Sequence, residues 1–187
     1  NYEVVRSLVD LELEDDPTTN KIVDYYVKKF KINETKNEVV GKLINEDMSR
    51  SMVAKFVVEV MTKSYDDAVG ALHNVTGGIR SELKVGDITY GDIYSAFPFD
   101  NEIYLISIGG RRLKALMDSG GNFAYYFTLT YSEVDDFAEY KVVTTNFVYE
   151  LSGSPVTGLD YENMFTYPRD LIATYLREHS VIDGSQY

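Results

Sequence analysis

The chain has 187 residues, enough for one domain with a real core, and its 44% hydrophobic and 13% aromatic content excludes a disordered polymer. With 30 acidic against 18 basic residues, the net charge is −12; without a Lys/Arg stripe this argues against nucleic-acid binding through phosphate contacts and disfavours anionic membrane surfaces. Zero cysteines remove disulfides, thiolate metal sites and cysteine nucleophiles, leaving two histidines for metal or acid–base work. No apolar run approaches the ~20 residues of a spanning helix, and Asn1 opens without a charged leader, so the chain reads as a mature or excised segment.

In chain order, Tyr2 to Leu13 alternates loosely and predicts an edge strand or tail. Asp16-Pro17 starts a linker or surface helix, since the Asp oxygen can accept from a free amide and proline is preset for the first turn. Its apolar face is Ile22, Val23, Tyr26, Val27 and Phe30. Val39 to Leu43 predicts a short strand. Ser49 or Ser51 caps a second helix that turns Met52, Val53, Phe56, Val57, Val60 and Met61 inward. Ala68 to Leu72 is a buried strand stopped near Gly77-Gly78, and the next segment reads mostly as turns. Ile103 to Ile108 is apolar on both faces and predicts a central strand, followed at Gly109-Gly110 by a helix carrying Leu113, Leu116 and Met117. Phe123 to Tyr131 and Tyr140 to Val148 predict two further strands, neighbours in one sheet, with Tyr125 and Tyr131 as sheet packing. Pro168 opens a last helix with Leu171, Ile172, Tyr175 and Leu176 on its buried face. The division is residues 1–35 as edge strand and linker helix, and 36–187 as the main domain.

Three devices in the middle of the chain can build a site. Gly77-Gly78 lets backbone come close to a ligand, Arg80 can place a planar fork of donors at the strand end, and Phe99, braced by Pro98, can offer a ring face to a planar ligand beside the amide of Asn101. Each alone also fits a plain role: a tight turn, a surface ion-pair partner and a core ring. His73 reads as a partly buried polar residue rather than a metal ligand, because neither histidine has carboxylates at ligand spacing. Asn33-Glu34-Thr35 and Asn74-Val75-Thr76 fit the glycan acceptor pattern, the second being read as structural.

Taken together, Gly77-Gly78-Ile79-Arg80, Gly86-Asp87-Ile88-Thr89, Pro98-Phe99-Asp100-Asn101 and Gly110 with Leu113-Lys114 resemble the C-terminal domain of the 5′-nucleotidase family, dimetal phosphoesterases acting on nucleotides. The match is strongest over residues 68–118. The resemblance implies an α+β fold of layered sheets and helices, in the order α/β/β/α. It implies a substrate-binding half with no catalytic residue, no metal ligand and no cofactor of its own. Two divalent metals would sit in a covalently linked N-terminal metallophosphoesterase domain absent from this chain. A secreted, periplasmic or cell-surface location follows by the same resemblance.

By resemblance, Phe99 is one wall of an aromatic clamp on the base, Arg80 meets phosphate oxygens, and Asn74 and Asn101 hydrogen-bond the nucleoside. Arg50 meets phosphate or ribose, or is a solvated helix-start residue. The Asn74-to-Arg80 interval is one residue longer than the family's, so Asn74 needs a local bulge. Ser152 to Tyr161 stands where the family has a Gly-Gly-Asp-Gly-aromatic loop. Tyr161 or Phe165 is then the candidate second ring, and Asp160 the candidate partner of ribose hydroxyls. The expected function is nucleotide binding for a two-domain nucleotidase; the alternative is a non-enzymatic binding module derived from that domain.

Overall fold

A computed structural model describes residues 15–187, so the strand expected over Tyr2 to Leu13 lies outside the described residues. Asp16 caps α1 (Pro17–Lys29) by accepting from the Thr19 amide at 2.7 Å. No residue of α1 is buried: Ile22, Val23, Tyr26 and Phe30 stay exposed on the stripe that the periodicity marks as apolar. The chain continues through α2 (Ile32–Lys36) into β1 (Val39–Ile44). Ser49 caps α3 (Arg50–Lys63), whose Val53, Phe56, Val57, Val60 and Met61 are buried as its period demands.

β2 (Ala68–Asn74) follows as expected. The segment read as turns instead contains β3 (Gly86–Thr89) and α4 (Tyr90–Ala96), joined by a capping box in which Thr89 and Asp92 bond each other's backbone amides. β4 (Ile103–Gly109) runs into α5 (Gly110–Met117). β5 (Phe123–Phe127) is shorter than the alternation suggests, and Tyr131 lies in a 3-10 turn rather than a strand. β6 (Glu139–Thr145) ends where α6 (Asn146–Glu150) begins, so Phe147 is helical. The chain closes with β7 (Tyr161–Asn163), α7 (Pro168–His179) and β8 (Val181–Asp183).

The strands form two sheets, one of order β3-β1-β8 and one of order β5-β2-β6-β4-β7. β5 and β6 share the larger sheet, but β2 lies between them, antiparallel to β5 and parallel to β6. β4 is interior, between β6 and β7. Strand alternation divides its side chains between two cores. Ile103 and Leu105 join α3 and α7 on one face, whereas Tyr104, Ile106 and Ile108 pack with Leu113, Leu116 and Val148 on the other. The result is the expected α+β architecture, sheets layered between helices. It places the ends of β2, α4 and β6 at one rim of the larger sheet.

Candidate functional site

β2 ends at Asn74, which is 2% exposed. The chain turns at Gly77, whose φ of +80° favours glycine, and returns over Asn74 at Gly78. Val75 and Thr76 donate to the backbone carbonyl and side-chain oxygen of Asn122, which fixes the loop from the other side. Arg80 leaves this loop with its amide bonded to the Ala96 carbonyl at 3.0 Å, so the loop is tied to the end of α4. The Asn74 amide nitrogen donates to the Thr76 carbonyl, while its Oδ1 is buried with no hydrogen-bond partner. Leaving such an acceptor unpaired costs about 1–3 kcal/mol.

Beyond α4, Phe97 is buried edge-on against His73, with centroids 5.9 Å apart, and Pro98 leads to Phe99, an exposed ring at 39% accessibility. The Arg80 guanidinium lies 5.1 Å from the Phe99 ring centroid, within cation–π range. The Glu102 amide donates to the Asn146 side chain at 3.0 Å, and the Asn146 amide donates back to the Glu102 carbonyl at 2.8 Å. This reciprocal pair carries Phe147, 44% exposed, to the same rim. Asn74, Thr76, Gly77, Gly78, Arg80, Phe99, Asn101 and Phe147 together line one cavity of about 300 Å³.

A second cavity of about 540 Å³ shares Arg80 and adds Arg50, Glu82, Lys84, Asp87 and Asp92. Lys84 is paired with Asp47 at 3.3 Å and Glu82 at 2.8 Å, and Lys84 holds the Glu82 carboxyl below the usual range. Among the described residues neither Arg50 nor Arg80 has a carboxylate within ion-pair distance. Two unpaired guanidiniums therefore face one cavity, suited to bidentate contact with an oxyanion.

Asp160 and Tyr161 go elsewhere. The Asp160 carbonyl accepts from the Ser107 amide, and Tyr161 stacks on Tyr104 with centroids 4.2 Å apart and leans on Tyr149. Burial and the Tyr161 hydroxyl beside it push the Tyr104 phenol up to about 12. The β4–β7 pairing sets Tyr161 opposite Ile106, whereas Asn101 precedes β4. Phe165 is almost fully exposed and lines neither cavity. The aromatic ring that does accompany Phe99 is Phe147, which sequence reasoning took for a strand residue. Asn74 is too buried to serve as a glycan acceptor, whereas Asn33 is exposed. Among the described residues no three of His, Asp and Glu stand together to hold a metal ion.

His73 is fully enclosed rather than partly buried. Its Nδ1 lies 2.9 Å from the Asn74 carbonyl, which can only accept, so Nδ1 carries the proton of the neutral ring. Burial pulls its pKa down to about 4, partly opposed by that carbonyl. Since the folded state resists protonation, stability is expected to fall as pH drops from about 6.5 to 4, by about 3 kcal/mol. Denaturant midpoints at pH 7 and pH 4.5 check this. A His73→Gln variant should lose less between the two pH values; an equal loss would assign the effect to carboxylates.

The 5′-nucleotidase, C-terminal domain family model matches residues 29–132. The chain is 29% identical over 122 residues to the trifunctional nucleotide phosphoesterase protein YfkN of Bacillus subtilis, covering 60% of this chain and 8% of that protein. It is 32% identical over 78 residues to a probable 5′-nucleotidase of Treponema pallidum, covering 40% of this chain and 13% of that one. Among solved structures, the Haemophilus influenzae NAD nucleotidase superposes with a TM-score of 0.68 at 17% identity, over 90% of this chain and 40% of that one. The 5′-nucleotidase precursor of Thermus thermophilus gives 0.66 at 16% identity, over 88% and 41%. The chain thus spans well under half the length of these relatives. With more than half of its residues inside the family match, this chain belongs to the 5′-nucleotidase C-terminal domain family.

Proposed function

We propose that this domain binds the nucleoside part of a nucleotide and presents its phosphoester to a metal-bearing part of a 5′-nucleotidase-type hydrolase. The observation that carries the reading is the single cavity lined by Phe99, Phe147, Asn74, Asn101 and Arg80. Phe99 and Phe147 supply ring faces for the base, each worth ~1–3 kcal/mol by stacking. Asn74 and Asn101 line the same cavity, and the Asn101 amide fixes orientation. Arg80 opens onto the neighbouring cavity, where it and Arg50 address phosphate oxygens. With the chain at −12, these local cations rather than long-range attraction hold the anion, since salt screens charges beyond ~10 Å. Holding the nucleotide at both ends supplies reactant positioning.

Two divalent metals in a linked N-terminal domain would supply the hydrolytic chemistry, with residues 1–35 as the connection. A secreted, periplasmic or cell-surface setting belongs to the same reading. Among the described residues no helix is long and apolar enough to cross a membrane. Phe147 weighs against the alternative of a degenerate, non-enzymatic module, because a second ring accompanies Phe99 without the family's glycine-rich loop.

Calorimetry with adenosine tests the site. Phe99→Ala and Phe147→Ala should each weaken binding about ten- to a hundredfold. Unchanged affinity in both variants would remove the cavity from the function.

A further inference from the structure

The turn that presents Phe99 is held from across the domain. Arg169, near the start of α7, is only 8% exposed. Its Nη1 donates to the Phe99 carbonyl at 2.7 Å and its Nη2 to the Asp100 carboxylate at 2.5 Å. Among the described residues, residues 98–101 make no other hydrogen bond, so these two fix a stretch that no helix or strand holds. The guanidinium is itself fixed. Its carbon lies 4.5 Å from the Tyr167 ring centroid and 5.2 Å from that of Tyr94, and next to it Tyr90 donates to Asp170 at 3.0 Å, joining α4 to α7.

A buried guanidinium is costly unless it is paired and hydrogen-bonded, and a planar fork satisfies two acceptors only when both are correctly placed. Here the acceptors are the backbone and neighbouring side chain of the one ring that faces Arg80. We propose that Arg169 is a positioning residue for the nucleoside site: it locks the Phe99–Asp100 turn so that the Phe99 ring stands against the cavity. The proposal rests on the nucleoside-binding reading for its functional meaning, but its geometric content is tested without a ligand. Arg169 touches no substrate; it acts through Phe99.

Arg80 provides the signature. Its side-chain protons lie over the Phe99 ring and feel its ring current, so their NMR shifts report where the ring is. Phe99→Leu gives the reference without that ring. In Arg169→Met the Arg80 resonances should move most of the way to the Phe99→Leu values, and in Asp100→Ala, which leaves only the bond to the Phe99 carbonyl, they should move part of the way. Asp100 has an exposed side chain, so its variant decides the matter if Arg169→Met fails to fold. Arg80 resonances that stay at their wild-type positions would overturn the proposal.

Adenosine titrations complete the cycle. Arg169→Met should weaken binding about tenfold in the wild-type background, the factor for ~1.4 kcal/mol, and have no further effect when Phe99 is already leucine. An equal tenfold loss in both backgrounds would show a general structural role and overturn it. A chain that binds no adenosine, yet shows the Arg80 shifts moving, would sink the nucleoside reading while leaving the hold of Arg169 on the ring established.

Discussion

Gly78→Ala is expected to destabilise the domain by about 1–3 kcal/mol and to weaken nucleoside binding with it. A Cβ at Gly78 would stand 2.2 Å from the Asn74 carbonyl oxygen and 2.7 Å from both atoms of its side-chain amide. The first of these is backbone at the end of a central-sheet strand and cannot swing away. The loop must lift, and the loop is the cavity floor, since Gly77 and Gly78 line it beside Asn74. Gly109→Ala is the control: a Cβ there meets nothing within 4 Å, and φ is −69°. Urea midpoints should fall for Gly78→Ala and hold for Gly109→Ala. A Gly78→Ala protein as stable as the wild type would mean that the loop does not lie against Asn74.

Phe56→Ala should cost about 3–5 kcal/mol, a large share of the ~5–15 kcal/mol by which domains are stable. Phe56 is fully buried in α3 and meets Tyr175 of α7 and Tyr187 edge-on, with centroids 5.9 and 5.5 Å apart. Those pairs add to the area term, and the rigid surroundings leave a cavity rather than collapse. Because α3 carries Arg50 at its first turn, the loss reaches the anion side of the site. Equilibrium urea denaturation should show a lower midpoint with little change in slope. A loss below about 1 kcal/mol would contradict the packing described for α3 and α7.

Elements with a long, clean period were legible in the sequence. The helix from Arg50 announces itself through Ser49 and six inward residues, and the doubly apolar Ile103 to Ile108 marks an interior strand. β7 and β8 have three residues each, too short to show alternation, and β3 is a four-residue strand opened by glycine and aspartate. The Thr89-x-x-Asp92 box was the available signal for α4. The insertion of β2 between β5 and β6 is a long-range pairing that no local pattern encodes.

The site was legible where it is local in sequence. The segment from Asn74 to Asn101 brings five of its lining types together through one strand end and one helix end. Phe147 was missed because the β-rich pattern runs on from Tyr140 to Val148, whereas the Thr145 hydroxyl accepts from the Val148 amide and turns the chain into a helix. Its arrival at the cavity depends on the Asn146–Glu102 exchange between distant segments. Tyr161, like Phe165 a candidate second ring from its place at the expected loop, is tied to the sheet edge by its stacking on Tyr104. Arg169 gives no local signal, because its partners Phe99 and Asp100 lie 70 and 69 residues earlier in the chain.

The most direct test of the central claim is to locate a bound nucleoside on the chain by intermolecular NOEs. Adenosine base protons are expected to show contacts to the ring protons of both Phe99 and Phe147, with the ribose side toward Arg80. Contacts to Tyr104 and Tyr161 instead, with none to Phe99 or Phe147 at saturating adenosine, would contradict it.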